Sequence, residues 1–383
     1  MARALYIHWP FCARKCPYCD FNSHVRDRVD VDAFRRAFMA ELAHEHALAD
    51  GGPLRSIFFG GGTPSLMPPA LVGELLVEAE RRWGFDPAIE ITLEANPSSV
   101  EAANFAALAD AGINRVSLGL QSLDDGALQF LGRLHGADEG LAALEVAQRH
   151  FARVSFDLIY ALPGQTAEAW EEQVARALGF GTGHLSLYQL TIEPGTRFAT
   201  DVRRGTFAPL EDDPAAELYT LTQELTRAAG APAYEISNHA RPGEESRHNL
   251  AYWRYEDYLG IGPGAHGRRG GKATLRHKKP ENWLAACEAQ GHGMVEETVL
   301  TSHDQAAEAL LMGLRLTEGI DPAAIARRFE LDTADLIDAD RLALHRINGL
   351  LWQRGERLGV TAAGMPLLDA LLGEIVAGEL VRA

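Results

Sequence analysis

The sequence predicts an α/β fold, a partial (β/α)6-type barrel of parallel strands covered by helices, followed by a smaller, mainly helical C-terminal domain. Short apolar runs alternate with segments whose apolar residues repeat at helical spacing as far as about residue 229. Polar or glycine-rich residues follow these runs, and the helical segments become short after residue 302. Alternating strands and helices with right-handed crossovers give a parallel sheet that places functional groups at the carboxyl ends of its strands.

Six units make up the predicted barrel. The first strand lies just before the cysteine-rich stretch near the start of the sequence. Asp30 or Asp32 is a plausible cap for the helix that follows this stretch. The other strands are predicted at 56–59, 89–94, 115–120, 154–160 and 184–190. The helices are predicted at 31–49, 69–83, from Ser99 through 111, from Asp125, from Asp138, at 166–180 and at 214–229.

The remainder of the chain is predicted to form an extension and a second domain. Residues 234–276, rich in Gly, His and aromatic residues, indicate extra strands and functional loops, with a helix at 280–289 and a connector at 291–298. We therefore predict one domain at 1–295 and a helical or winged domain at 300–383. Its expected elements are helices at 303–316, 322–329 and 342–352, a short strand at 358–361 and a helix at 366–376.

Composition and charge exclude several classes of protein. The net charge of −17 in 383 residues opposes attraction to a phosphate backbone, which argues against a nucleic-acid partner. No apolar run approaches the roughly 20 residues of a membrane-spanning helix, and no signal peptide is evident. Only four cysteines occur, three of them clustered, which favours a metal site over a disulfide framework. We expect a cytoplasmic protein.

The clustered cysteines are the strongest chemical signal in the chain. Cys12, Cys16 and Cys19 form a C-x3-C-x2-C array after the first strand, whereas Cys287 lies in a helical segment and is expected to be a core or surface residue. A tetrahedral zinc site would need His8 or His24 as a fourth ligand. Three thiolates can instead hold an iron-sulfur cluster and leave one iron open. The amino and carboxylate groups of S-adenosylmethionine (SAM) could fill that position.

Several motifs in the same order make a family resemblance specific. The chain contains YIHWPFC, CPYCDF, GGGTP, LEANP, LGLQS, GRLH and FDLIYALPGQT. Together they resemble the radical SAM superfamily, and within it the coproporphyrinogen III oxidase-like branch. The resemblance implies that the three clustered cysteines hold a [4Fe-4S] cluster. It further implies a SAM pocket formed by Tyr6, Tyr18, Gly61, Gly62, Thr63, Glu94, Gln121, Arg133 and Asp157.

Three features distinguish two subfamilies of that branch. The oxidases carry a further cysteine where this chain has Phe21, and a long extension before the cluster motif, which here starts at residue 6. Residues 248–253, HNLAYW, resemble the H-N-x-x-Y-W motif of the HemW-type haem chaperones. That resemblance implies that His248 binds haem. A neutral imidazole is a good axial ligand, and Tyr252 and Trp253 could pack on the macrocycle.

Three functions therefore remain open. A haem chaperone would bind haem and deliver it to haem-requiring respiratory proteins, including acceptors at a membrane with which the chain would associate peripherally. An oxygen-independent coproporphyrinogen III oxidase would decarboxylate its substrate to protoporphyrinogen IX by radical SAM chemistry. A radical SAM enzyme acting on an unrelated substrate is the third possibility.

Overall fold

The computed structural model describes residues 3–49 and 52–376. Eleven of its strands form one sheet, in the order β13-β12-β11-β10-β1-β4-β5-β6-β7-β8-β9, and two further pairs of strands lie outside it. The strands are β1 Ala4–Trp9, β2 Phe11–Cys12, β3 His24–Val25, β4 Leu54–Gly61, β5 Phe85–Ala95, β6 Arg115–Gln121, β7 Arg153–Tyr160, β8 His184–Gln189, β9 Asn238–Ala240, β10 Tyr258–Ile261, β11 His266–Arg269, β12 Lys272–Arg276, β13 Met294–Val299, β14 Leu351–Arg354 and β15 Arg357–Val360.

The predicted α/β architecture is confirmed. Strands β1, β4, β5, β6, β7 and β8 pair in parallel, each with the next, and so form the six predicted units. On the far side of β1 the sheet continues through β10, which is parallel, into the antiparallel strands β11 to β13. Strand β9 is antiparallel to β8 and ends the sheet on the other side, so the barrel is partial.

Helices connect the parallel strands, and a helical region follows the sheet. The α-helices of the described residues are α1 Val31–Leu48, α2 Pro69–Trp83, α3 Ser99–Ala102, α4 Phe105–Asp110, α5 Asp125–Phe130, α6 Ala137–His150, α7 Ala167–Gly179, α8 Arg197–Arg203, α9 Asp212–Ala228, α10 Arg247–Trp253, α11 Pro280–Gln290, α12 Ser302–Gly313, α13 Pro322–Phe329, α14 Thr333–Leu336, α15 Ala339–Ile347 and α16 Leu368–Ile375. The Asp30 side chain accepts a hydrogen bond from the Ala33 amide and so caps α1, as predicted.

Alternation along the strands separates an apolar layer from a polar interior. On β4, Ile57 and Phe59 are fully buried in the main core, which the connecting helices cover. On β5, Leu93 lies in that core, whereas Thr92 and Glu94 have the opposite orientation. Polar side chains therefore collect on the inner face of the curved sheet.

A second core lies in the C-terminal region. It contains residues of α12, α13, the β14–β15 hairpin and α16, including Leu310, Phe329, Leu358 and Leu372. This is consistent with the domain predicted at 300–383, of which residues 377–383 lie outside the described part. The boundary at 295–300 stays a prediction.

Several local predictions were wrong. The expected connector at 291–298 contains β13, which pairs with β12, and the helix expected at 342–352 ends at Ile347. Gly349 has a φ of 73°, a left-handed conformation that turns the chain into β14. The helix expected from Ser99 is two short helices, capped at the first by Ser98, and α8 was not predicted.

Across residues 3–49 and 52–376, no helix combines the length and the apolar character needed to cross a bilayer.

Candidate functional site

The three clustered cysteines line one cavity at the carboxyl ends of the strands. Cys12 ends β2, and Cys16 and Cys19 follow in a loop that β3 closes by pairing with β2. All three are half-buried free thiols facing a cavity of about 760 Å³. Of the predicted SAM residues, the same cavity is lined by Tyr18, Gly61, Gly62, Thr63, Glu94, Gln121, Arg133 and Asp157. The strand topology therefore brings these residues together.

Polar side chains contact the sulfurs of the loop. The Thr63 hydroxyl donates to Cys12 Sγ at 3.4 Å, and Arg133 Nη1 donates to Cys16 Sγ at 3.4 Å. Burial raises the pKa of Cys12 and Cys19, and the neighbouring thiols raise them further. Ionised sulfurs in this loop therefore need compensating positive charge, which iron would provide.

The histidines near the loop are already engaged. His8 Nδ1 is hydrogen-bonded to the Tyr6 hydroxyl at 2.9 Å, and His8 Nε2 to the Asn22 carbonyl oxygen at 2.9 Å. His24 Nε2 lies 3.3 Å from the Lys278 carbonyl oxygen. Within the described residues, no three His, Cys, Asp or Glu side chains are placed to hold one metal ion. The structure thus gives no support to a zinc site, whereas the thiolates of a multi-iron cluster bind separate irons and need not converge.

The glycines at the end of β4 pack against the chain that leads into the cysteine loop. A Cβ atom on Gly61, whose φ is 114°, would lie 2.6 Å from His8 Cε1, and one on Gly62 would lie 2.7 Å from the Phe11 carbonyl oxygen. The amide of Thr63 donates to that same oxygen at 2.8 Å. Glycine is therefore required here for packing against the chain just before Cys12.

Two buried carboxyl groups face the cavity. Burial, reinforced by the charge of Asp157, raises the pKa of Glu94 to about 8. Burial also raises the pKa of Asp157 to about 6, against hydrogen bonds from Ser186 and Ser117. A positively charged ligand in the cavity would favour the ionised form of both carboxyl groups and would be bound by them. SAM carries a sulfonium and an ammonium group.

Arg133 joins the cysteine loop to the ends of two strands. Its Nη2 atom donates to Asn96 Oδ1 at 2.6 Å and to the Gly119 carbonyl oxygen at 2.9 Å. Its Nη1 atom lies 3.5 Å from the Tyr18 hydroxyl. Asn96, which the sequence did not single out, also donates from Nδ2 to Thr63 Oγ1 at 3.1 Å. Its position directly after β5, within LEANP, is the signal that could have identified it.

Tyr6 lies beneath the loop and does not line the cavity. Its ring packs against Phe58 with a centroid separation of 6.3 Å, and its hydroxyl is hydrogen-bonded to His8. The side chain therefore belongs to the barrel interior.

His248 lies near the opposite end of the barrel, on α10. Its Nδ1 is hydrogen-bonded to Ser56 Oγ at 2.9 Å and its Nε2 to the Tyr252 hydroxyl at 2.8 Å. The ring stacks on Phe58 and is 1% exposed. Burial, together with the charge of Arg115, lowers the pKa of His248 to about 3, so the imidazole is neutral. Both nitrogens are occupied, and the structure does not bring His248 to the cavity.

Trp253 also faces protein and not an open surface. The guanidinium of Arg315 lies 4.8 Å from the centroid of its ring, and Trp253 packs against a small core around Tyr234 and Leu316. Glu90 holds the start of α10 by accepting from the Arg247 amide at 2.9 Å. The HNLAYW segment is therefore packed against protein, with His248 and Ala251 buried and the other four residues half-buried.

Family models match two parts of the chain. Residues 6–177 match the radical SAM superfamily, and residues 300–367 match the HemN C-terminal domain. Escherichia coli coproporphyrinogen III oxidase (HemN) superposes with a TM-score of 0.82 at 23% identity, covering 96% of this chain and 88% of that one. This likeness shows the fold alone.

Curated relatives match nearly the whole chain. Radical S-adenosyl methionine domain-containing protein 1, mitochondrial, of Mus musculus is 43% identical over 382 residues, which cover 96% of this chain and 86% of that protein. Heme chaperone HemW of Mycobacterium tuberculosis is 36% identical over 375 residues, covering 96% and 93%. Heme chaperone HemW of Haemophilus influenzae is 38% identical over 328 residues, covering 83% of each.

Proposed function

Because the chain belongs to the radical SAM superfamily, in the branch that contains the HemW-type haem chaperones, we propose that it binds haem and delivers it to haem-requiring proteins. The observation that carries this proposal is the likeness, along nearly the whole chain, to proteins named heme chaperones. Respiratory proteins, some of them at a membrane, are the proposed acceptors.

We further propose that Cys12, Cys16 and Cys19 hold a [4Fe-4S] cluster. The three thiols line one cavity, and the radical SAM family to which residues 6–177 match supports a cluster there. Bound together, a reduced cluster and SAM supply one-electron chemistry. Arg133 and Thr63 would orient the sulfurs, since each already donates a hydrogen bond to one of them.

We propose that SAM binds in the same cavity, because two carboxyl groups line it. Glu94 and Asp157 would face the cationic groups, and the backbone of Gly61 and Gly62 would form one wall. Tyr18, Thr63, Gln121 and Arg133 complete the lining. The proposed role of Tyr6 is indirect, because its hydroxyl fixes His8 beneath the loop.

His248 remains the proposed axial ligand of haem, but it can bind iron only after a change in the position of α10. Because Ser56 and Tyr252 occupy both ring nitrogens, ligation requires α10 to withdraw from the barrel. The neutral state of the imidazole suits ligation, since no proton has to be lost first.

The test is an anaerobic haem titration of cluster-reconstituted protein, followed by absorption. The proposal predicts a saturable Soret band whose position changes in His248→Ala, with His303→Ala as the exposed-histidine control. A parallel assay with SAM and coproporphyrinogen III distinguishes the oxidase. Absence of saturable haem binding, or formation of protoporphyrinogen IX, would overturn the proposal.

A further inference from the structure

Exposed apolar side chains surround the mouth of the cysteine cavity. Five large apolar side chains that are between 38% and 71% exposed line this cavity, and each comes from a different segment of the chain. They follow the ends of β1, β4, β5 and β6 or lie on β8, so they are distributed around the sheet edge and not along one element. We call Phe21, Leu66, Val100, Leu134 and Tyr188 the apolar rim.

Charge is distributed unevenly at this mouth. Arg14 and Lys15, both exposed, lie on the cysteine loop and line the cavity, and neither forms an ion pair with any described residue. The acidic side chains at the mouth are Asp20, on the same loop, and Glu193, beyond β8. Two adjacent exposed cations, without an ion pair among the described residues, outnumber the single acidic residue of this loop and so favour an anion there.

A ligand that fits this pattern is broad, apolar on its faces and anionic along one edge. Haem meets each requirement, because its macrocycle is apolar and its two propionates lie side by side. Resting on the proposed function, we infer that haem is first captured on the apolar rim, with its propionates toward Arg14 and Lys15. The apolar rim is therefore assigned as a porphyrin-docking surface.

Capture at the apolar rim does not involve His248. The rings of Tyr6 and Phe58 pack between His248 and Gly60, and the imidazole itself is 1% exposed. A macrocycle on the rim therefore cannot reach the nitrogens of His248 while these rings stay in place. Docking on the rim also leaves α10 in place, whereas ligation by His248 displaces it.

The probe that separates the two sites is iron-free protoporphyrin IX, which keeps the macrocycle and both propionates but offers no iron to an imidazole. Binding is measured by fluorescence titration of the cluster-containing full chain. Val100→Glu combined with Leu134→Glu should weaken binding about tenfold or more, since each change replaces apolar contact with a charge. Val77→Glu and Ile347→Glu are the controls, because both side chains are exposed and lie away from the cavity.

The propionate contacts have their own test. Arg14→Ala with Lys15→Ala should weaken protoporphyrin IX binding, while binding of its dimethyl ester, which lacks the two charges, should be unaffected by the substitutions. Circular dichroism and iron content per chain establish that each variant is folded and loaded.

Three results have distinct meanings. Loss of porphyrin binding in the rim variants, with both controls unchanged, supports the rim as the docking surface. Unchanged porphyrin binding in the rim variants, with saturable binding by the wild-type chain, overturns this inference and leaves the proposed function standing. Absence of saturable haem and porphyrin binding by the wild-type chain overturns both.

Discussion

Asn22 Nδ2 donates a hydrogen bond to the carbonyl oxygen of Pro263 at 2.8 Å, across 241 residues of sequence. The same amide donates to the Lys278 carbonyl oxygen at 2.9 Å, and the Asn22 carbonyl oxygen is hydrogen-bonded to His8. Asn22 follows Cys19 by three residues. The extension that follows the six-unit barrel therefore helps to hold the cysteine loop in place.

Replacing Asn22 should loosen that loop. We expect Asn22→Ala to retain less iron than wild type after reconstitution and to lose it faster to a chelator, because two hydrogen bonds to the extension disappear. The readout is iron per chain against time. Asn104→Ala is the matched control, since Asn104 is exposed and its side chain makes no capping bond. Equal iron loss from both variants would show that Asn22 does not position the loop.

Gly62→Ala should destabilise the protein. The added Cβ would lie 2.7 Å from the Phe11 carbonyl oxygen and 2.8 Å from the Pro10 carbonyl carbon, and backbone cannot yield as a side chain can. A loss of about 1–3 kcal/mol in the free energy of unfolding is expected from such overpacking. Gly179→Ala, at the end of α7, meets nothing within 4 Å and should be neutral or slightly stabilising. Denaturant unfolding of the two variants gives the comparison.

The carboxyl groups of the cavity predict a pH dependence in ligand-free protein. Because the pKa of Glu94 is raised from 4.5 to about 8, the folded state holds a proton that the unfolded state releases. This contribution to stability is full below pH 4.5 and is lost as the pH rises to about 8. Glu94→Gln should flatten the dependence of unfolding on pH over that window, whereas the exposed Glu171→Gln should leave it intact. An unchanged slope in Glu94→Gln would contradict the assignment.

His248→Ala should cost stability as well as any haem ligation. The change leaves Ser56 and Tyr252 without their partner and opens a cavity against Phe58, which together are expected to cost about 2–4 kcal/mol. His303→Ala, on the exposed face of α12, should cost far less. If His248→Ala unfolds at the wild-type denaturant concentration, the buried position described for this ring is wrong.

Much of the barrel was predictable from the sequence because parallel strands are local apolar runs. The positions of Glu94, Gln121 and Asp157 at or near strand ends, together with parallel topology, are enough to predict that they share a cavity. The structure places all three in the lining of the cysteine cavity. Their roles toward SAM remain predictions.

What the sequence could not show are contacts between distant segments. Nothing near His248 indicates that Ser56, 192 residues earlier, occupies its Nδ1, so the motif suggests an open ligand where the structure has a buried one. Tyr6 was expected to line the SAM pocket, and the sequence likewise does not show that its hydroxyl is hydrogen-bonded to His8. Periodicity predicts on which face of a strand or helix a side chain lies, but not which residue it contacts.

The error at Trp352 had a visible signal. The helix predicted at 342–352 contains the Asn348-Gly349 pair, which is a turn signal, and the observed helix ends just before it at Ile347. In the structure the Trp352 ring covers Gly359 on the neighbouring strand, where a Cβ atom would lie 2.2 Å from Trp352 Cζ2. Packing across the β14–β15 hairpin therefore favours a strand over a helix at Trp352.

The most direct test of the central claim is haem transfer from the loaded, cluster-containing chain to the apo form of a b-type cytochrome, followed by absorption at several acceptor concentrations. A chaperone that engages its acceptor predicts a transfer rate that rises with acceptor concentration and exceeds the rate of spontaneous haem release. A rate equal to spontaneous release at every acceptor concentration would show passive binding and contradict the proposed function.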